Sequence, residues 1–432
     1  MEAYVRMRPL LCILLLIAFP TIASEVNPKL PDPLSLEYSL KLSEEAHPDL
    51  IAVEQAIAIA KSQSSIAKSD KGLVLRAQAR ARWIDPPDAT AQYGREDHQG
   101  KVFASKALYD FGKTSNKVES VRVQEDVEKL RLEQVKQYRR IEIMQIFFDV
   151  LLADLTYLRD NEAMKMAYVH YDKARDRLEL GQKSEVDVLE KESQYFEKRK
   201  DNYHSESMQR LLRQQLSIVL NRPDDIVSNL YMPKLDYKNY KIIELERLQE
   251  VAQVNNLDLK KINLSLEALR LELQSLRANR HPTISAEVEA GIYKRNIGSN
   301  DRWRAGVVLD VPLYQGGKIS GQIAELRGKI KLLENKRYQT QLQLNQKILM
   351  HWLAIDSFTS RVDADEKLFE YREIYLDRAR ADYELEYKTD LGDSMVKLTQ
   401  ASLNAAETDF ELAMRWEQLR ILTQMTLEEM RQ

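Results

Sequence analysis

Cysteine is nearly absent from this chain. Its single copy, Cys12, lies in an apolar N-terminal run, so disulfide and thiolate-metal architectures are excluded for the rest. Glycine and proline are scarce and clustered, with 13 and 12 copies in 432 residues. The long stretches between them are rich in Glu, Lys, Arg, Gln and Leu, as in extended surface helices. That composition argues against the two or three compact domains that length alone would suggest. Strong charge of either sign is also missing. A formal net charge of -3 gives no reason to expect a nucleic-acid partner, and no recognition motif supplies one. Gly316-Gly317-Lys318 lacks the preceding frame of a phosphate-cradling loop, and there is no Gly-x-Ser-x-Gly elbow. His47, His98, His170, His204, His281 and His351 stand far apart, without a ligand partner at i+3 or i+4. No enzyme activity, cofactor or metal site is expected.

What is present begins with a secretory signal over residues 1–24. Arg6 and Arg8 precede the apolar run Leu10 to Phe19, and the small residues Thr21, Ala23 and Ser24 follow. The run is about half the ~20 residues that a membrane-spanning helix needs. Cleavage after Ala23 or Ser24 predicts a mature chain without cysteine, compatible with an oxidising periplasm.

Pro28, Pro31, Pro33 and Pro48 predict an extended lead-in, followed by a helix from about Asp49 to Asp70. The period then changes. Leu73, Leu75, Ala77, Ala79, Ala81 and Trp83 alternate with Val74, Arg76, Gln78, Arg80 and Arg82, a strand signal. A second strand is expected over about 101–111. From Lys113 to Leu180 there is neither Gly nor Pro, so a helix of roughly 100 Å is predicted at 1.5 Å per residue. Gly181 interrupts it, and another helix runs from about Ser184 to Leu220. The plan then recurs: a helix over about Leu245 to Ala278, strands over about 282–293 and 302–313, a long helix from Lys318 to about Leu391, a break at Gly392 and a final helix to the C-terminus. Tyr109 to Lys113 overlays Tyr314 to Lys318 at an offset of 205, and Leu178 to Leu189 overlays Glu384 to Met395 at 206. Two anchors at nearly one offset predict a duplication, with repeats over 25–230 and 231–432.

The strands decide the function class. Each is about ten residues, enough to cross a bilayer when tilted. A lipid-facing sheet cannot leave open edges, and four strands are too few for a conducting barrel, so several copies of the chain must contribute. Trp83 and Trp303 stand at the ends of apolar faces, where interfacial aromatics belong. A soluble coiled-coil scaffold or adaptor with two hairpins is the alternative. It accounts for the helices but not for a signal peptide together with strands apolar on one face and charged on the other.

On these residues the chain resembles the TolC-like outer-membrane efflux protein family. The segment that carries the resemblance best is Trp303 to Lys318, ending Asp310-Val311-Pro312-Leu313-Tyr314-Gln315-Gly316-Gly317-Lys318, with His281-Pro282 before the third strand. The resemblance implies a mostly α fold with transmembrane β-strands. A trimeric duct would draw four strands per subunit into a shared twelve-strand barrel, continued by a long α-helical periplasmic tunnel. Gly112, Pro312, Gly316 and Gly317 would form the corner from barrel to tunnel. Gly181, Ser184, Asp187 and Leu189 of the first tip, and Gly392 and Met395 of the second, would dock an adaptor. The second tip departs from the family pattern at Tyr387 and Asp390, and Val396 stands where a second acidic ring is usual. Asp393 and Asp390 would be the acidic constriction of the tunnel, or simply helix caps. The implied partners are two further copies of the chain, a periplasmic adaptor (membrane fusion) protein, an inner-membrane pump or ABC transporter, and outer-membrane lipid. Drug efflux and type I secretion of protein or peptide both remain open.

Overall fold

The computed structural model describes residues 29–237, 240–295, 301–385 and 391–431. The signal segment 1–24 and the 386–390 stretch containing Tyr387 and Asp390 lie outside the described residues. Eight α-helices and four strands are described: α1 (Leu36–Lys41), α2 (Pro48–Ser69), β1 (Leu73–Arg80), β2 (Gln99–Tyr109), α3 (Lys113–Glu179), α4 (Glu185–Val219), α5 (Leu245–Asn255), α6 (Leu257–Ala278), β3 (Thr283–Tyr293), β4 (Trp303–Asp310), α7 (Lys318–Glu384) and α8 (Leu391–Thr423). None of the helices is long and apolar enough to cross a membrane.

The two longest helices follow from the absence of breakers. α3 and α7 are each 67 residues, roughly 100 Å at the standard rise. Each starts after a left-handed glycine, Gly112 at φ 84° and Gly317 at φ 83°. Shorter helices line them. α2 and α4 both pack on α3, while α6 and α8 both pack on α7 and also reach α3. The end of α4 meets the start of α2 through Arg222 to Glu45 (2.8 Å) and Asn221 to the Ala46 carbonyl (3.1 Å). The end of α8 meets the start of α6 through Asn256, whose Nδ2 donates to the Leu422 carbonyl (3.0 Å).

The largest apolar clusters sit around these two junctions. One gathers Ile143, Phe147 and Phe148 of α3 with Leu216, Phe410 and Leu34. Another gathers Ile348 and Ile355 of α7 with Leu248, Leu259, Trp416 and Met430. Fully burying one such side chain contributes about 1.5–3 kcal/mol. Beside them Glu417 is buried and accepts from Arg140 (2.9 Å) and Arg420 (2.7 Å), tying α3 to α8. Burial opposes the Glu417 charge, but the two guanidiniums outweigh it and hold its carboxyl below the usual range.

Four expectations need correction. The lead-in is not wholly extended, because α1 forms within it with Ser35 as N-cap. The helix expected over Leu245 to Ala278 is two helices. Asn256 adopts an extended backbone (ψ 129°), and its side chain accepts from the N–H groups of Asp258 and Leu259 to start α6. The first strand stops at Arg80, with Trp83 in an isolated bridge to Glu96. The last helix stops at Thr423, where Gln424 turns left-handed at φ 57°, and the chain then bridges from Arg431 to Ile242.

The four strands form one antiparallel sheet in the order β1-β2-β3-β4. The β2–β3 pairing joins the two hairpins, and among the described residues β1 and β4 are its edges.

Candidate functional site

The register sorts the sheet into two faces. Cross-strand partners share a face. One row runs Leu75–Ala104–Val288–Ala305 and the next Ala77–Val102–Ala290–Trp303, with Leu73, Ala79, Ile292, Val307 and Leu309 on the same side. This face is apolar except for Lys106, which lies opposite Leu73 at the helix end of the sheet. The other face carries the row Arg76–Phe103–Glu289–Arg304, with Gln78, Arg80, Lys101, Ser105 and Glu287. At its centre Glu289 forms an ion pair with Lys101 (2.9 Å) and accepts from the Arg304 Nε (2.8 Å). The apolar side chains remain exposed, as at Leu75 (67%), Ile292 (79%) and Val307 (68%). An apolar face this continuous marks contact with something other than water.

Exposed aromatics stand at both ends of the sheet. Trp83 and Trp303 lie towards the hairpin loops. Tyr109, Phe111 and Tyr314 lie towards the helices. Aromatic girdles of this kind flank the apolar band of membrane barrels.

Gly112, Gly316 and Gly317 all adopt positive φ where strand gives way to helix. Phe111 does so too, at φ 51°, beside 58° for Gly316, its counterpart at the 205-residue offset. The first corner therefore has the same backbone as the second with only one glycine. Its aromatic ring stacks on His281 (5.3 Å) and meets Tyr109 edge-on (4.7 Å), contacts that offset the left-handed strain. Asp110 adds a cap, accepting from the Thr114 N–H at 2.9 Å. Burial works to raise its pKa, but hydrogen bonds from Thr114, the Lys71 charge and the Gly112 N–H prevail and lower it. Pro312 follows β4 by two residues, past the last ladder pair.

At the far end of α3, Gly181 turns left-handed at φ 70°. Ser184 and Asp187 then form a reciprocal capping box: the Ser184 hydroxyl accepts from the Asp187 N–H (3.3 Å), and Asp187 accepts from the Ser184 N–H (3.0 Å). Those bonds hold the Asp187 carboxyl below its ordinary range. Leu180, Val186 and Leu189 are exposed around the turn. In the second tip Gly392 is not the break itself but lies in the first turn of α8, against α3. A Cβ there would fall 1.6 Å from the Met166 sulfur, so any larger residue would have to displace that side chain. Met395 is exposed. Asp393 is exposed and pairs with Lys397 one turn on (2.5 Å), which raises the lysine's pKa. Among the described residues no cluster of His, Cys, Asp or Glu could hold a metal ion.

Residues 248–422 match the family described as outer membrane efflux protein. The match lies in the second half of the chain, and it agrees with the resemblance drawn from the sequence. Solved channels share the fold at low identity. The CmeC outer membrane channel of Campylobacter jejuni aligns with a TM-score of 0.74 and 12% identity, over 90% of this chain and 85% of that one. The outer membrane protein VceC of Vibrio cholerae gives 0.69 and 12%, over 89% and 94%. The open state of the MtrE outer membrane channel of Neisseria gonorrhoeae gives 0.67 and 13%, over 91% and 90%. No curated protein matches the chain in sequence.

Sequence reasoning missed three contributors to this efflux fold: Phe111, Met166 and Lys397. The i,i+4 spacing of Asp393 and Lys397 was a readable signal. The other two depend on tertiary contacts.

Proposed function

We propose that the chain is one of three identical subunits of a passive export duct. Its four strands would make a third of a twelve-strand barrel, and its helices a third of the periplasmic tunnel. The observation that carries this reading is the sheet: one face continuously apolar, the other charged with a central ion-paired cluster at Glu289, and among the described residues both edges without a partner strand. Unpaired backbone groups cost several kcal/mol each in lipid, so the edges must be closed by other copies. Three copies closing edge to edge form a cyclic assembly, each presenting β1 to a neighbour's β4.

The two halves are read as structural repeats over 25–230 and 231–432. The equal lengths of α3 and α7, and of α2 and α6 at 22 residues, support that boundary. The tips at Gly181, Ser184, Asp187 and Leu189, and at Gly392 and Met395, are read as docking points for a periplasmic adaptor. An inner-membrane pump or ABC transporter would supply both energy and selection, in a tripartite efflux or type I secretion system. The duct itself does no chemistry. Asp393, with Asp390 outside the described residues, is the proposed constriction.

Mass measurement in mild detergent tests the assembly, and three chains are expected. A stable soluble monomer without detergent would overturn the duct and favour the scaffold reading.

A further inference from the structure

Where α8 ends and α6 begins, the end-to-end stacking leaves a cavity of about 370 Å³ between α3 and α7. Its wall carries Lys347 and His351, one turn apart on α7, and Arg415 on α8. Among the described residues neither Lys347 nor Arg415 makes an ion pair within 4.0 Å. The acidic residue in the wall, Asp258 of α6, is already bonded to Lys261 (3.0 Å) and Gln134 (2.9 Å). His351 is 6% exposed, and its Nδ1 is buried without a partner. The side-chain oxygen of Gln418, in the same wall, is also buried and unpartnered. Turning that amide over would present its NH2 instead. Buried polar atoms are rarely left unpaired, and here they sit beside two cations whose acidic neighbour in the wall, Asp258, is shared with Lys261 and Gln134.

We propose that this cavity binds a small oxyanion, a sulfate, phosphate or carboxylate group, held by Lys347 and Arg415 and hydrogen-bonded by His351. The cavity is formed within one chain and needs neither the barrel nor the tip. The charge pattern explains the chemistry. Burial, and then Arg415 and Lys347, push His351 down to about 4, so it is neutral at pH 7. The groups facing it from the packed elements are Lys347 on its own helix, Arg415 on α8, Asp258 on α6 and Tyr138 on α3. An anion between Arg415 and Lys347 cancels their field and allows His351 to take a proton. Binding should therefore draw in that proton and strengthen as pH falls.

The test is calorimetric titration of the full detergent-purified chain with sodium sulfate, at ionic strength matched with chloride. Sulfate does not change charge between pH 6 and 8, so any pH dependence belongs to the protein. One saturable site per chain is expected, tighter at pH 6 than at pH 8. K347Q and R415Q should each weaken it roughly tenfold, the scale of a lost hydrogen bond to a charged group. H351Q should retain binding but remove the pH dependence. Lys347 is exposed, so K347Q keeps the test decisive if R415Q fails to fold. No saturable sulfate binding to the wild-type chain overturns the site. So does binding that is equal in wild type and K347Q, or binding that is the same at both pH values.

Discussion

One residue-scale pairing changes what the proposed tunnel tip should do. Asp393 reads from sequence as an acidic ring or as a cap, and its partner decides between further possibilities. Lys397 sits 2.5 Å away, so in the proposed trimer each subunit would bring a paired charge rather than a bare carboxylate to the tip. Exposed pairs of this kind contribute little stability, and their effect here is on the local field. Removing the carboxylate in D393N would leave three unpaired ammoniums in a trimer, and cation preference should give way to anion preference. K397Q should do the reverse, uncovering three carboxylates and strengthening block by multivalent cations. Reversal potentials in planar bilayers check both; equal potentials in wild type, D393N and K397Q would remove Asp393 from the conduction path. The corner was more legible than the tip. Gly316-Gly317 announces a positive-φ turn, since glycine adopts it without a Cβ penalty. Phe111 announces nothing of the kind. Its ring contacts Tyr109, two residues back, and His281, which the fold brings from the α6–β3 connection.

At the scale of elements, helix existence was readable because breakers are so rare. The start of α3 at Lys113 and that of α7 at Lys318 follow from the glycines before them. The break between α5 and α6 was not readable, since Asn256 interrupts an otherwise continuous apolar pattern without glycine or proline. Its side chain caps α6 and holds the end of α8, so one residue serves two helices. N256A should therefore cost about 1 kcal/mol, the usual loss of an N-cap, plus the bond to Leu422. Thermal melting and limited proteolysis check this, with new cleavage expected near the α5–α6 junction. His351 gives the same layer a pH dependence. Its pKa is lowered to about 4 in the fold from 6.5. Well above pH 6.5 it is neutral whether folded or not, and has no effect on the pH dependence. As pH falls from 6.5 towards 4 the unfolded chain takes the proton first, so stability declines across that window, by on the order of 2–3 kcal/mol. In chloride buffer the melting temperature should fall over this range, and H351Q should flatten that part of the profile.

In the proposed duct the whole molecule turns on one change of direction, from a sheet that would meet lipid to helices that would cross the periplasm. Strand alternation made the two faces readable before any register was known, because period two assigns each residue to a side. The apolar rows through Val288 and Ala290 and the charged row through Glu289 then follow from pairing. Copy number was not readable from one chain's pattern; it enters through the rule that a sheet in lipid must close. In the proposed trimer the corner after β4 sits beside a sheet edge, where β4 would pair with another copy. Gly316 and Gly317 have open space around them, so bulk alone would not clash there. Their φ values of 58° and 83° are the constraint, and a β-branched residue in that region costs roughly 1–2 kcal/mol. Replacing both by Val would therefore strain the turn by roughly 2–4 kcal/mol in each subunit, summed over three subunits in a closed barrel. At the corner after β2 the Phe111 ring contacts His281 and Tyr109, whereas Val at 316 would find no neighbours within 4 Å. The double variant should accordingly give reduced trimer yield in outer-membrane extracts, with unassembled chain accumulating. A Gly→Ala pair should fall between wild type and the Val pair, and G306A should leave yield unchanged, since Gly306 has no positive φ and open space. Normal trimer yield from the Val pair would mean that the turn is made elsewhere and that the corner assignment is wrong.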